Sequence, residues 1–239
     1  MSHAFVHELV DHASERFRAG GRFAYHYARG KLGHDTIFHD ILRRGLLSGA
    51  PRVLDLGSGQ GSLFSWLLAA QQLAARGRWP ADWAPPPTPR ALRGIELMDK
   101  DVDRAAQAFG ATHPVVRIER GDMTRTELGR PDAITILDAL HYVDHQRQSE
   151  LLARIRAALP AGGVFLTRIG DASAGWRYQM GLNIDRVVTF ARGHRLSRLY
   201  ARPLAEWRAE LESLGFEVDS RDMSGNKPLA NVMLYCRVR

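Results

Sequence analysis

Three glycines and a set of carboxylates are spaced in this 239-residue chain as a small-molecule site would need them. Gly57, Gly59 and Gly61 directly follow the apolar run Pro51-Arg-Val-Leu-Asp-Leu56 and open the amphipathic stretch Ser62 to Ala75. A strand, a glycine turn and a helix are therefore expected in succession, with Ser58 inside the turn. Glycine lets backbone approach a ligand closely at the carboxyl edge of a sheet. The loop fits neither common phosphate pattern: Ser62 stands where the dinucleotide fingerprint has its third glycine, and no Lys-Ser or Lys-Thr pair follows. Asp55, two residues before the first glycine, would repel a pyrophosphate and favour a cation. Glu96 lies near the end of a second apolar run, Asp122 follows a third, and Asp138 closes a fourth. Asp138 reads as a contact to a cofactor or acceptor, or equally as a helix cap or a sheet-edge carboxylate. His141 and Tyr142 come next, and an imidazole with an ordinary pKa near ~6.5 can take a proton from a phenol. The same two residues can also simply start the following helix and pack beneath a ligand.

The elements that would position these groups alternate between short apolar runs and helical periodicity, the pattern of a parallel sheet wrapped by helices. Strands are expected at Pro51 to Leu56, Ala91 to Leu97, Val115 to Glu119, Asp132 to Leu137, Gly163 to Ile169, Gly215 to Asp219 and Ala230 to Val238. The last two are joined by a short Gly/Asn/Pro loop and can pair antiparallel. Helices are expected at Phe5 to Phe17, Thr36 to Leu46 with Asp35 as cap, Ser62 to Ala75, Asp101 to Phe109, Gln148 to Leu159, Tyr178 to Ala191 and Leu204 to Leu214. Residues 1–48 form an N-terminal helical cap and 49–239 the α/β domain. Residues 77–90 carry five prolines with Trp79 and Trp83, which excludes helix and interior strand and reads as a surface insertion. Residues 170–203 are a second insertion containing Arg177, Arg186, Arg192, Arg195, Arg198 and Arg202, read as a solvated basic face or a dock for an acidic partner.

Several of these features also occur, in order, in a known family. Val53-Leu-Asp-Leu-Gly-Ser-Gly-Gln-Gly61 resembles the first motif of class I S-adenosylmethionine-dependent methyltransferases. Gly94-Ile-Glu96, Gly121-Asp-Met123, Ile134 to Tyr142 and Leu159-Pro-Ala-Gly-Gly-Val164 resemble the later ones. The resemblance implies a Rossmann-like methyltransferase sheet of seven strands, mostly parallel, with helices on both faces and an antiparallel final strand. It also implies roles. Asp55 and the loop would hold the methionine part of S-adenosyl-L-methionine, and Glu96 both ribose hydroxyls, with Asp99 as its alternate. Asp122 would accept from the adenine amine, while Leu97 and Met123 pack on the ring. In related enzymes N-terminal helices close over the cofactor, so Arg29 or Lys31 can pair with its carboxylate and Tyr25 and Tyr27 can line the acceptor. Sulfonium chemistry requires no metal, and a cluster of His141, His145, Asp138 and Asp144 is set aside on that ground. The distance from Gly61 to Glu96 exceeds the ~20 residues of a simple nucleotide unit, and the proline-rich stretch accounts for the excess.

Composition narrows the classes further. A single cysteine, Cys236, excludes an internal disulfide and fits a reducing, cytoplasmic setting, as does an N-terminus without an export pattern. No apolar stretch reaches the ~20 residues of a membrane span. Against 26 acidic residues stand 33 basic ones, nearly all arginine, for a net charge of +7. That charge alone favours a nucleic-acid methyltransferase. The fourth strand instead ends Asp138-Ala-Leu-His141, without the Asn-Pro-Pro-Tyr type of signature found in base-amine methyltransferases, which points to a small organic acceptor. The segment Phe23 to Leu32 is similar to that of methyltransferases encoded among bacterial aryl-polyene pigment genes, implying a hydroxyaryl acceptor borne on an acidic carrier protein. A non-catalytic binder of the cofactor is the remaining alternative.

Overall fold

The computed structural model of the chain describes residues 2–181, 199–224 and 229–239. Its seven strands are β1 (Arg52–Leu56), β2 (Ala91–Glu96), β3 (Val116–Arg120), β4 (Ala133–Leu137), β5 (Val164–Gly170), β6 (Phe216–Asp222) and β7 (Asn231–Val238). They form one sheet in the order β3-β2-β1-β4-β5-β7-β6. Strand β1 pairs in parallel with β2 and β4, and β2 with β3, while β7 runs antiparallel to both β5 and β6. This is the mostly parallel α/β sheet that the alternating pattern implied, with the antiparallel closing pair expected from the short loop between the last two strands. Among the described residues no helix is long and apolar enough to cross a membrane.

The chain divides into two compact units, Met1–Thr135 and Ile136–Arg239. In the first, the N-terminal helices α1 (Ser2–Glu15), α2 (Gly21–His34) and α3 (Thr36–Arg43) belong with β1 to β3, α4 (Ser62–Ala75) and α5 (Asp99–Phe109). Helix α4 is buried on nearly every side from Ser62 to Ala70. Such a helix needs cover on both faces. The N-terminal helices provide part of it: the Ser65 hydroxyl donates to Ala13 O (2.5 Å) and the Trp66 indole to Phe38 O (2.8 Å). Asp35 caps α3, accepting from the Ile37 amide, as its position before the apolar run implied.

The stretch around Tyr25 and Tyr27 is helical throughout α2, where aromatics and glycines gave little helix propensity. Its buried residues are Ala24, Ala28 and Leu32, one per turn, so tertiary packing supplies what propensity lacks. Residues 77–90 contain neither helix nor strand, as the prolines require, yet they are tied down. The rings of Trp79 and Trp83 meet Phe5 of α1 edge-on at 5.7 and 5.3 Å. The Ala84 amide donates to Arg43 O (3.0 Å), and the Ser48 hydroxyl to Pro85 O (2.5 Å).

The second unit holds β5 to β7, α6 (His145–Ala158) and the helix Leu204–Ser213. Strand β5 is buried from Val164 to Ile169, an uninterrupted run suited to a strand covered on both faces. Residues 176–181 are helical, in keeping with the start of the helix expected from Tyr178. Residues 182–198, which include the remainder of that expected stretch and Arg186, Arg192, Arg195 and Arg198, lie outside the described residues. Arg202 departs from the expected solvated face: it is largely buried, stacks over Trp207 at 5.0 Å, pairs with Glu210, and donates to Gln148 Oε1 (2.8 Å). Its flat guanidinium can serve stacking and several acceptors at once, which is why it packs in rather than pointing to water.

Candidate active site

The glycine loop leaves β1 in a conformation that only glycine adopts readily. Gly57, Gly59 and Gly61 all have positive φ, at 78°, 56° and 84°. Gly61 has a further reason: a Cβ there would stand 2.6 Å from Ile118 Cδ1 and 2.7 Å from Phe109 Cε2. Across the loop, a Cβ on Gly94 of β2 would come within 2.6 Å of Ser58 Oγ. Glycine on β2 thus makes room for the loop lying against it. The loop is fastened to β2 by the Gly57 amide donating to Ile95 O (2.8 Å).

Glu96, at the end of β2, is the brace of this arrangement. Its Oε2 accepts from the Gly59 amide (2.7 Å) and its Oε1 from the Met98 amide (2.9 Å). The carboxylate is buried, and each oxygen keeps a lone pair beyond the one the backbone uses. The group is therefore oriented in advance for two further donors, such as a vicinal diol. Asp99 instead begins α5 and pairs with Arg120 (2.9 Å), an exposed contact.

Asp55 is buried next to the last residue of β1, and the Thr135 hydroxyl donates to its Oδ1 (2.5 Å). Burial pushes its pKa up from 3.8 to about 7. The Thr135 bond and the charge of Lys31 pull the other way, and the charge of Glu96 adds to the rise. Two acids held in a common electrostatic field make this a place for a cation. Two more buried polar atoms belong to the loop. Ser58 Oγ and Gln60 Oε1 have no hydrogen-bond partner among the described residues, although the Gln60 amide nitrogen donates to Ala24 O of α2 (2.9 Å). Asp122, after β3, accepts at Oδ1 from both the backbone amide and the hydroxyl of Thr124 (2.8 and 2.7 Å), and its Oδ2 lies 3.8 Å from Arg125 Nε. Met123 is half-buried beside it, and Leu97 is 59% exposed after Glu96.

The N-terminal candidates divide. Lys31 pairs with Asp35 (3.3 Å) and lies in the field of Asp55. Arg29 pairs with Asp11 of α1, Tyr25 lies under the Arg18 guanidinium at 4.0 Å, and Tyr27 stacks on Phe23. These three are engaged in holding α2 and its neighbourhood together.

In the second unit, Asp138 follows β4 with φ 59°, the only non-glycine residue with positive φ among those described. Its carboxylate is gripped by Arg168 of β5, whose Nε donates to Oδ1 (2.6 Å) and whose Nη2 donates to Oδ2. The pair favours a positioning role over that of a helix cap. His141 and Tyr142 lie in a 3-10 turn, Leu140–Tyr142, separate from α6, so they do not begin the next helix. Their rings contact each other at 4.2 Å, and Tyr142 is 38% exposed. Buried Gln148 holds this turn, its amide nitrogen donating to Leu140 O, Val143 O and Tyr200 O at 3.1, 2.9 and 3.0 Å. Neither Arg168 nor Gln148 was expected at the site from the sequence. For Arg168 the signal was a lone charge inside the apolar run Val164–Gly170. Gln148 carries no such mark, being one polar helix residue among several.

A braced glycine loop with buried acids can hold a cationic ligand bearing adjacent hydroxyls. A family model described as "Methyltransferase domain" matches residues 5–221. No curated protein matches the chain in sequence. Among solved structures, an O-methyltransferase family protein from Burkholderia thailandensis is similar at TM-score 0.59 and 17% identity, over 92% of this chain and 61% of that one. The magnesium protoporphyrin IX methyltransferase of Synechocystis PCC 6803, with bound SAH, is similar at TM-score 0.59 and 17% identity, over 94% of each chain. Human N-acetylserotonin methyltransferase, in complex with SAM, is similar at TM-score 0.56 and 16% identity, over 97% of this chain and 66% of that one. With the family model spanning most of its length, the chain belongs to the methyltransferase domain family.

Proposed function

We propose that the chain transfers a methyl group to an oxygen of a small hydroxyaryl acceptor. The observation that carries this reading is His141 beside Tyr142, an imidazole and a phenol set on a fixed turn after β4. A neutral ring nitrogen of His141 takes the proton that the acceptor hydroxyl loses as the new oxygen–carbon bond forms. Tyr142 offers an aromatic face for the acceptor ring. S-adenosylmethionine, when bound, supplies a methyl group on a positively charged sulfur that departs as a neutral thioether.

The chain's own part is alignment and exclusion of water. Asp55 holds the ammonium of the donor, Glu96 its ribose hydroxyls and Asp122 its adenine amine, with Leu97 and Met123 against the ring. The buried acids and the two unpartnered oxygen atoms of Ser58 and Gln60 fit a cationic, hydrogen-bond-donating ligand. Lys31 suits the donor's carboxylate. Proteins of similar fold named for N-acetylserotonin and for magnesium protoporphyrin IX lend support to a small organic acceptor.

The test offers the chain isotopically labelled methyl donor with panels of phenols, carboxylic acids, amines and RNA, and repeats the phenols on an acidic carrier protein. Label on phenolic oxygen, reduced about 10²-fold or more in His141→Gln, is the expected result. Label on RNA or on amines alone would overturn the reading.

A further inference from the structure

The turn that carries His141 and Tyr142 is entered through a conformation its sequence does not favour. Asp138 takes up the left-handed region, at φ 59°, without being glycine, and a side chain there makes that backbone costly. Such a residue persists only where its surroundings hold it. Arg168 does so: it is 6% exposed, projects from β5, and grips both carboxylate oxygens through a planar fork. A buried arginine is itself costly unless paired, so each partner requires the other. At the far end of the turn, Gln148 ties Leu140 O and Val143 O, and the Tyr200 amide donates to His141 O (2.8 Å). The turn is thus fixed at entry by an ion pair and at exit by an amide, with the two reactive side chains between.

We infer that Arg168 is a positioning residue for methyl transfer: by holding Asp138 left-handed it sets the direction in which His141 and Tyr142 are presented. The inference rests on the reading of His141 as proton acceptor. It concerns the rate of the chemical step, through the turn that carries His141 and Tyr142. A misplacement of about 1 Å in such a group can cost about 10²-fold.

The decisive variant removes both charges and the backbone strain together. Arg168→Met with Asp138→Gly leaves no unpaired buried ion and gives φ 59° to a residue that accepts it. This double variant is expected to unfold within a few degrees of the wild type and to bind S-adenosylhomocysteine equally well. Its kcat is expected to fall about 10- to 100-fold with the KM for donor unchanged. Arg168→Lys, which keeps the charge and loses the fork, should fall between the two. The His141 ring resonances, assigned with His141→Gln, should shift or split in the double variant. Wild-type kcat together with unmoved His141 resonances in the folded double variant would overturn the inference. If the wild type methylates no phenol, the proposed acceptor chemistry fails while the His141 resonances still decide the positioning claim.

Discussion

The glycine loop after β1 and the turn after β4 meet the same demand, an accurate placement of a few polar atoms, by opposite means. The loop uses backbone: three left-handed glycines, amides hydrogen-bonded to a buried glutamate, and a β2 glycine that makes room for Ser58. The turn uses side chains, a left-handed aspartate clamped by arginine and a run of carbonyls gathered by one glutamine. Backbone devices leave little latitude for substitution, because a Cβ either fits or collides. Side-chain devices can be exchanged in pairs, which suits the part of an enzyme that must match a particular acceptor.

Substitutions can break that contrast, and the largest effect is expected on the loop side. Glu96→Ala removes the acceptor of the Gly59 and Met98 amides and, with them, the proposed ribose contacts, and should weaken S-adenosylmethionine binding about 10²-fold or more by calorimetry. Retention of affinity would mean that the brace does not touch the ligand. Gly61→Ala places a Cβ against Ile118 and Phe109 at φ 84°, and should cost about 2–4 kcal/mol in denaturant unfolding. A neutral result would show that α5 can retreat.

Asp55 gives a prediction in pH. Its folded pKa of about 7 lies above the ordinary 3.8, so the folded chain takes up a proton there as pH falls and gains stability relative to the unfolded chain. That gain is complete below the unfolded pKa and is lost as pH rises through about 7. Asp55→Asn should therefore unfold several degrees above the wild type at pH 8, with the difference shrinking towards pH 5. On the proposal that Asp55 holds the donor's ammonium, binding should follow the opposite course: affinity should fall as pH drops below 7, because protonation removes that charge. The smallest effect is expected at Arg29, whose half-exposed pair with Asp11 joins α1 and α2. Arg29→Ala should change stability by about 0–1 kcal/mol and leave donor affinity alone. A large loss of affinity would bring α2 into the site through Arg29.

The same contrast decides what could be read before the fold was known. Backbone devices leave local marks: glycine spacing after an apolar run, and acids at strand ends, are visible in the sequence and located the loop, Glu96 and Asp122. Side-chain devices join residues far apart in the chain. Asp138 meets Arg168 thirty residues on, and Gln148 meets Arg202 at a separation of 54. No local pattern marks such pairs. Within the N-terminal helical cap, α2 carried the weakest local mark, since its one-per-turn stripe of Ala24, Ala28 and Leu32 stands among glycines and aromatics that disfavour helix in isolation. Trp79 and Trp83 stood in a stretch correctly read as irregular, but their packing on Phe5 depends on a contact across more than seventy residues.

The central claim is that a glycine loop braced by buried acids binds the methyl donor. Titration calorimetry of the wild-type chain with S-adenosylmethionine at pH 6 and pH 8, beside Glu96→Ala at pH 8, tests it most directly. Binding that is tighter at pH 8 and lost in the variant is the predicted outcome. A folded wild-type chain that gives no binding heat at either pH, or binds with the same affinity when Glu96 is removed, would contradict it.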